Sequence, residues 1–151
     1  MAIVQLGELL DRACQFEDRL ASYFAALRDQ SPDNGVRLLT YYMSRHRRHQ
    51  RDVLSQLTPD LLKHIREIEV RHDITFQPET AFHALKIPHA EITGKQFLDA
   101  AVRYNETLVA IYRQILDEPV NEEARKVIES MIHVEERDMV MMRKMMAMHY
   151  F

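Results

Sequence analysis

The sequence is poor in the residues that break helices or cross-link chains: it has three glycines, five prolines and one cysteine, and no tryptophan. The single cysteine, Cys14, excludes an internal disulfide and any metal site built from several cysteines. Scarce glycine and proline leave long segments without breakers, which favours helices. Charged residues interrupt every apolar run before the roughly 18 residues that a membrane helix needs, so no membrane partner is expected.

The charges are nearly balanced, with 20 lysines and arginines against 23 aspartates and glutamates and a formal net charge of -3. This balance argues against a nucleic-acid partner, although arginines cluster in the stretch SRHRRHQRD at residues 44–52. The N-terminal sequence lacks the basic start and apolar run of a signal peptide, so we expect a cytoplasmic protein. With 151 residues, 46% of them hydrophobic, we expect one domain over residues 1–151 with its own core.

Apolar residues recur at helical spacing along most of the chain, which predicts an all-α protein. Capping residues and breakers divide the pattern into four long helices. These cover residues of about 4–29, 35–57, 93–116 and 121 to near the C-terminus. The long connection at 58–93 opens with Thr58-Pro59, which predicts a short helix there. Two short connections and one long one predict an antiparallel four-helix bundle with a crossover between helices two and three.

Polar residues interrupt the apolar stripe of each long helix near its middle. In chain order, the interruptions are Glu17, His46, His49, Asn105, Glu135 and Asp138. The two histidines share the inner face of helix two, whereas the arginines around them project elsewhere. Because side chains of facing helices converge in a bundle core, we expect the six to lie at one depth.

These polar positions also repeat along the chain. Asn105 follows Glu17 by 88 residues, and the acidic pair of helix four follows the histidine pair of helix two by 89 residues. Neighbouring apolar positions keep the same step, since Phe24 on helix one corresponds to Tyr112 on helix three. The two halves of the chain are therefore interpreted as a degenerate internal duplication.

This arrangement resembles the ferritin-like proteins, and more narrowly the rubrerythrin-like di-iron carboxylate family, over the four long helices. In that family helices one and three each supply a glutamate, and helices two and four each supply Glu-x-x-His, to hold two metal ions. The positions that match the family's ligands are Glu17, His49 and Glu135. The positions that differ are His46 and Asn105, each in place of a glutamate, and Asp138 in place of a histidine.

The resemblance implies a modified metal site in the core. Two ions close together need several anionic ligands, and two glutamates of the family pattern are replaced here. The remaining histidines and carboxylates suit one ion with a position for water, with iron expected and manganese or zinc as alternatives. We therefore expect a metal-binding protein with a mononuclear or asymmetric core site, redox-linked if the ion is iron.

A metal-free reading stays open beside the metal site. In it, His46 and His49 donate hydrogen bonds to the buried carboxylates, and the bundle is a non-catalytic structural or interaction module. A homodimer is also expected, because the final helix carries more methionines than one core stripe needs. These methionines are Met139, Met141, Met142, Met145, Met146 and Met148.

Overall fold

A computed structural model of the chain describes residues 3–45, 49–71 and 86–147, without the side chains of Tyr42, Ser44, Arg45, His49 and Gln50. Its α-helices are α1 (Leu6–Gln30), α2 (Asn34–Arg45), α3 (His49–Ser55), α4 (Pro59–Arg66), α5 (Gly94–Leu116) and α6 (Glu122–Ala147). One small sheet pairs β1 (Ile3–Gln5) with β2 (Glu69–Arg71), and a 3-10 helix covers His89–Glu91. The chain is mostly helical, as an all-α protein is expected to be. Within the described ranges, none of the helices has the length and apolar character needed to cross a bilayer.

Side-chain caps begin four of these helices. In each case the cap accepts a hydrogen bond from the backbone N–H three residues further on. The caps are Asp33 for α2, Thr58 for α4, Thr93 for α5 and Asn121 for α6. At α5 the side chain of Gln96 also accepts from the Thr93 backbone N–H, which completes a capping box. The helix starts that the sequence predicts near residues 58, 93 and 121 are confirmed.

The beginning of the chain differs from the prediction. The sequence predicts helix from about Val4, but α1 begins at Leu6 and the three residues before it form β1. Val4 lies opposite Val70 in the antiparallel ladder, and both side chains are buried. β-branched residues fit a pleated, half-buried surface, so Ile3 and Val4 favour the strand once a partner is present. Helical periodicity missed this strand because its partner lies beyond α4 in the sequence.

Two helix pairs make up most of the molecule. α1 packs along α2, and α5 packs along α6. The connections 31–33 and 117–121 are short, so the two helices of each pair run antiparallel. The pairs meet where α2 contacts α5 and α3 contacts α6. Between α1 and α5, the rings of Phe24 and Phe97 pack edge to face with centroids 5.0 Å apart. The apolar faces of α1, α2, α5 and α6 therefore pack into one hydrophobic core.

The two pairs follow one numbering step. α1 and α5 begin at residues 6 and 94, and α2 and α6 begin at residues 34 and 122, so both differences are 88. Ten of the eleven buried positions of α1 are buried again in α5 at this step. The buried positions Val36, Leu39, Thr40 and Met43 of α2 correspond to Ala124, Val127, Ile128 and Met131 of α6, also buried. The packing of the described helices therefore repeats at a step of 88 residues in both pairs, one residue less than the step of 89 that the sequence predicts between the histidine pair and Glu135 with Asp138.

The one buried position of α1 that does not repeat is Gly7. A Cβ atom at Gly7 would lie 2.9 Å from the Cβ and 3.0 Å from the carbonyl oxygen of Arg66, which ends α4. Arg66 also holds Asp11 through two hydrogen bonds of 3.0 and 2.8 Å. At the corresponding position of α5, Lys95 is exposed. α4 therefore covers the start of α1 at a close approach that requires glycine. Residues 72–85 of the predicted crossover lie outside the described ranges.

Candidate functional site

Three of the predicted site residues are polar side chains inside the hydrophobic core. The exposed fractions of Glu17, Asn105 and Glu135 are 2%, 0% and 1%. Both carboxylate oxygens of Glu17 are shielded from solvent. The three residues come from α1, α5 and α6, on the apolar stripes where the sequence predicts them. Their burial confirms the prediction that these three positions face the core.

The other three predicted residues are placed less deeply or not described. Asp138, one turn after Glu135 on α6, is half-buried, so it lies at the edge of the core. His46 and the side chain of His49 lie outside the described residues. The backbone of His49 begins α3, and α3 packs against α6. The predicted role of these two histidines stays a prediction.

Contacts between neighbouring residues bring the buried positions to one depth. The rings of Phe16 and Tyr104, each one residue before a site position, meet edge to face with centroids 6.4 Å apart. On the other side of α1, Nη2 of Arg51 lies 2.8 Å from Oδ2 of Asp18, which places α3 at the same height. These two contacts set Glu17 level with Asn105 and with the start of α3.

The third contact is direct. Nδ2 of Asn105 donates a hydrogen bond of 3.3 Å to the backbone carbonyl oxygen of Glu135, in the core between α5 and α6. A carbonyl oxygen only accepts, so the amide nitrogen rather than the amide oxygen must face it. This bond joins the two helices of the second pair at the depth of the buried carboxylates.

Charge balance is the main electrostatic requirement of this region. A carboxylate is costly to bury unless hydrogen-bond donors or positive charge compensate it. The ion pairs that Asp11, Asp18 and Asp99 form with arginines lie at the surface. Imidazoles and divalent cations are among the groups that can compensate a buried carboxylate.

Sequence reasoning missed the surroundings of Cys14, one turn before Glu17. Burial raises the pKa of this half-buried thiol above its ordinary value, and a hydrogen bond with Arg51 opposes the rise. Arg51 is exposed, as the sequence predicts for its arginine cluster, and it also pairs with both Cys14 and Asp18.

Tyr104 is a second residue that the sequence did not single out. It precedes Asn105 on α5 and occupies the position that Phe16 holds on α1. Burial, with a smaller contribution from nearby Tyr23, raises the pKa of the Tyr104 phenol to about 12. The phenol therefore stays neutral beside the buried polar residues at physiological pH.

Known proteins provide no further assignment, because comparison with models of protein families, with curated proteins and with solved structures found no match. Among the side chains that the structure describes, His, Cys, Asp and Glu form no group of three or more suited to a metal ion. Buried carboxylates from two different helices are nevertheless hard oxygen donors, which suit iron, manganese or zinc when imidazoles join them. Glu17 and Glu135, two of the predicted carboxylates, are buried on α1 and α6.

Proposed function

We propose that this chain is a metal-binding protein whose single or asymmetric core site lies in a ferritin-like, rubrerythrin-like four-helix bundle. The observation that carries the proposal is the burial of the Glu17 and Glu135 carboxylates on two helices of one hydrophobic core. Iron is the proposed ion, with manganese or zinc as alternatives.

The arrangement of helices supports the bundle. Two antiparallel helix pairs pack into one core, and the long connection between residues 58 and 93 would be the crossover of a ferritin-like topology. In this proposal α2 and α3 correspond to the predicted second helix. The repeat at a step of 88 residues agrees with a bundle built from two equivalent hairpins.

The proposed ligands come mainly from the first helix pair. Glu17, His46 and His49 would hold the ion together with Glu135, and Asp138 would stand at the rim of the site. A bound iron would supply redox chemistry, whereas zinc would supply Lewis-acid or structural chemistry. The chain's own contribution is to hold two carboxylates in a dry core, where they neutralise a divalent ion and exclude bulk water.

The test is the metal content of the full chain. Protein is expressed in medium supplied separately with iron, manganese and zinc, purified without chelator and examined by elemental analysis. About one ion per chain is expected from a three- or four-ligand site. Glu135→Gln should lose the ion, while Glu136→Gln should keep it, because Glu136 lies at the surface and pairs with Arg113. Loss in both variants or in neither would overturn the ligand assignment.

A second candidate function is a structural or interaction module with a metal-free buried network. Leu38 and Tyr41, three residues apart on α2, are 68% and 45% exposed, which gives that helix an outward apolar patch. The methionines of α6 give less support to an interface, because Met131, Met139 and Met142 are buried and Met145 and Met146 pack against the core. Homodimerisation is therefore proposed through α2, with α6, the helix that the sequence predicts, as the alternative. Val140 on α6 is 51% exposed, so sedimentation of Leu38→Asp and Val140→Asp variants tests which face is used.

A further inference from the structure

We infer that Asn105 is a positioning residue that fixes the backbone at Glu135, and that it does not bind the metal ion. The inference rests on the proposed function where it concerns the ion. The hydrogen bond between Asn105 and Glu135 is independent of that function. The hydrogen bond and the proposed metal site together assign different roles to Glu17 and Asn105, which occupy equivalent positions of the repeat.

The geometry of the amide carries this role. Asn105 is completely buried and directs Nδ2 at the carbonyl oxygen of Glu135, 30 residues away in the sequence. That oxygen also belongs to the α6 helix, and its second lone pair is available to a donor from outside the helix. The bond therefore holds α5 against the turn of α6 from which the Glu135 side chain projects.

The residue type is specific for this task. The position needs a short side chain with a donor, because the partner is an acceptor. A carboxylate at position 105 would set two acceptors against each other in a region of low dielectric constant. At the equivalent position of α1, Glu17 supplies the negative charge that the amide lacks. One half of the repeat thus provides a ligand at this position, and the other half provides support for a ligand on the next helix.

The Asn105→Asp variant separates the two roles because they predict opposite effects. If the side chain bound metal, exchanging an amide oxygen for a carboxylate would tighten binding or add a second ion. If it positions Glu135, the exchange removes the donor and weakens binding. Loss of a residue that orients a ligand costs about 10- to 100-fold in metal affinity.

Cobalt(II) titration of the full chain provides this readout, because the visible absorption of the ion reports its coordination. We expect about one ion per chain in the wild type. Asn105→Asp and Asn105→Leu should keep this stoichiometry with an affinity lower by about 10- to 100-fold. Tighter binding or a second ion in Asn105→Asp would overturn the inference and leave the proposed metal site intact.

Nuclear magnetic resonance tests the hydrogen bond without any metal. In the wild type, the side-chain NH₂ of Asn105 should exchange slowly with solvent. The ¹³C resonance of the Glu135 carbonyl should move in Asn105→Leu, and it should move little in the control Asp99→Asn, since Asp99 lies at the surface of α5 and pairs with Arg103. Rapid exchange of the Asn105 amide would overturn the inference by itself. A wild type that binds no cobalt but shows both signals would overturn the proposed function instead.

Discussion

The first helix pair and the second have nearly the same apolar framework and different polar residues. At a step of 88 residues, ten buried positions of α1 recur as buried positions of α5, and Phe16 touches its own counterpart Tyr104. At the adjacent position, however, α1 has the carboxylate of Glu17 and α5 has the amide of Asn105. Packing therefore sets where the polar groups lie, and the choice of group at each place sets the chemistry.

The largest expected effect comes from breaking the shared core in either half. Phe24→Ala and its counterpart Tyr112→Ala should each lower the free energy of unfolding by about 3–5 kcal/mol, because both rings are fully enclosed. Both variants should unfold in one transition in urea, as one core requires. Two separate transitions, or a large loss in only one variant, would show that the halves are independent units.

Gly7 tests the place where the two halves differ in packing. In an unobstructed helix, Gly→Ala stabilises by roughly 1 kcal/mol. At Gly7 the new Cβ would press on Arg66, so Gly7→Ala should instead destabilise by about 1–2 kcal/mol in urea unfolding. Lys95→Ala, at the equivalent exposed position of α5, should change stability by less than about 0.5 kcal/mol. A stabilised Gly7→Ala variant would contradict the close approach of α4.

Tyr104 sharpens the comparison through its pH dependence. Its pKa rises from an ordinary value of 10.0 to about 12 in the folded chain, because burial favours the neutral phenol. The contribution of the neutral Tyr104 phenol to the stability of the folded chain is complete below pH 10 and is lost as the pH rises towards 12. Tyr104→Phe, which makes the position identical to Phe16, should reduce the loss of stability over this range. Thermal unfolding between pH 9 and 12 measures this loss in both proteins. An equal loss of stability in the wild type and in Tyr104→Phe would argue against a buried phenol.

The smallest effect concerns Cys14 in the first half. Since the Arg51 guanidinium opposes the rise of the thiol pKa, Arg51→Leu should raise that pKa further. The thiolate is the reactive form, so alkylation by iodoacetamide at pH 8 should slow in Arg51→Leu. Arg113→Leu on α5 is the control and should leave the rate unchanged. Faster alkylation of Arg51→Leu would indicate that Arg51 mainly shields the thiol.

Local patterns were enough to predict much of this molecule. Capping by Thr93 and helical periodicity gave α5 its bounds, and the same periodicity predicted the burial of Glu17, Asn105 and Glu135. Each of these features depends on residues within a few turns of one helix. The buried face of a helix and the residue at which it begins can therefore be predicted from the sequence.

Features that depend on distant partners were missed. Val4 forms a strand because Val70 is available to pair with it, and Gly7 is required because Arg66 crosses it. The hydrogen bond from Asn105 to the Glu135 carbonyl oxygen was missed for the same reason, since an amide on a polar core stripe does not reveal which acceptor its nitrogen will reach.

The most direct test of the central claim is anomalous X-ray diffraction from crystals of the full chain grown with iron(II), recorded at the iron absorption edge. We predict one anomalous peak per chain, in the core between Glu17 and Glu135 and bound to a carboxylate oxygen of each. The peak should be absent from crystals of Glu17→Gln and present in crystals of Asp18→Asn. A core without a peak, or a peak only at surface carboxylates, would contradict the account.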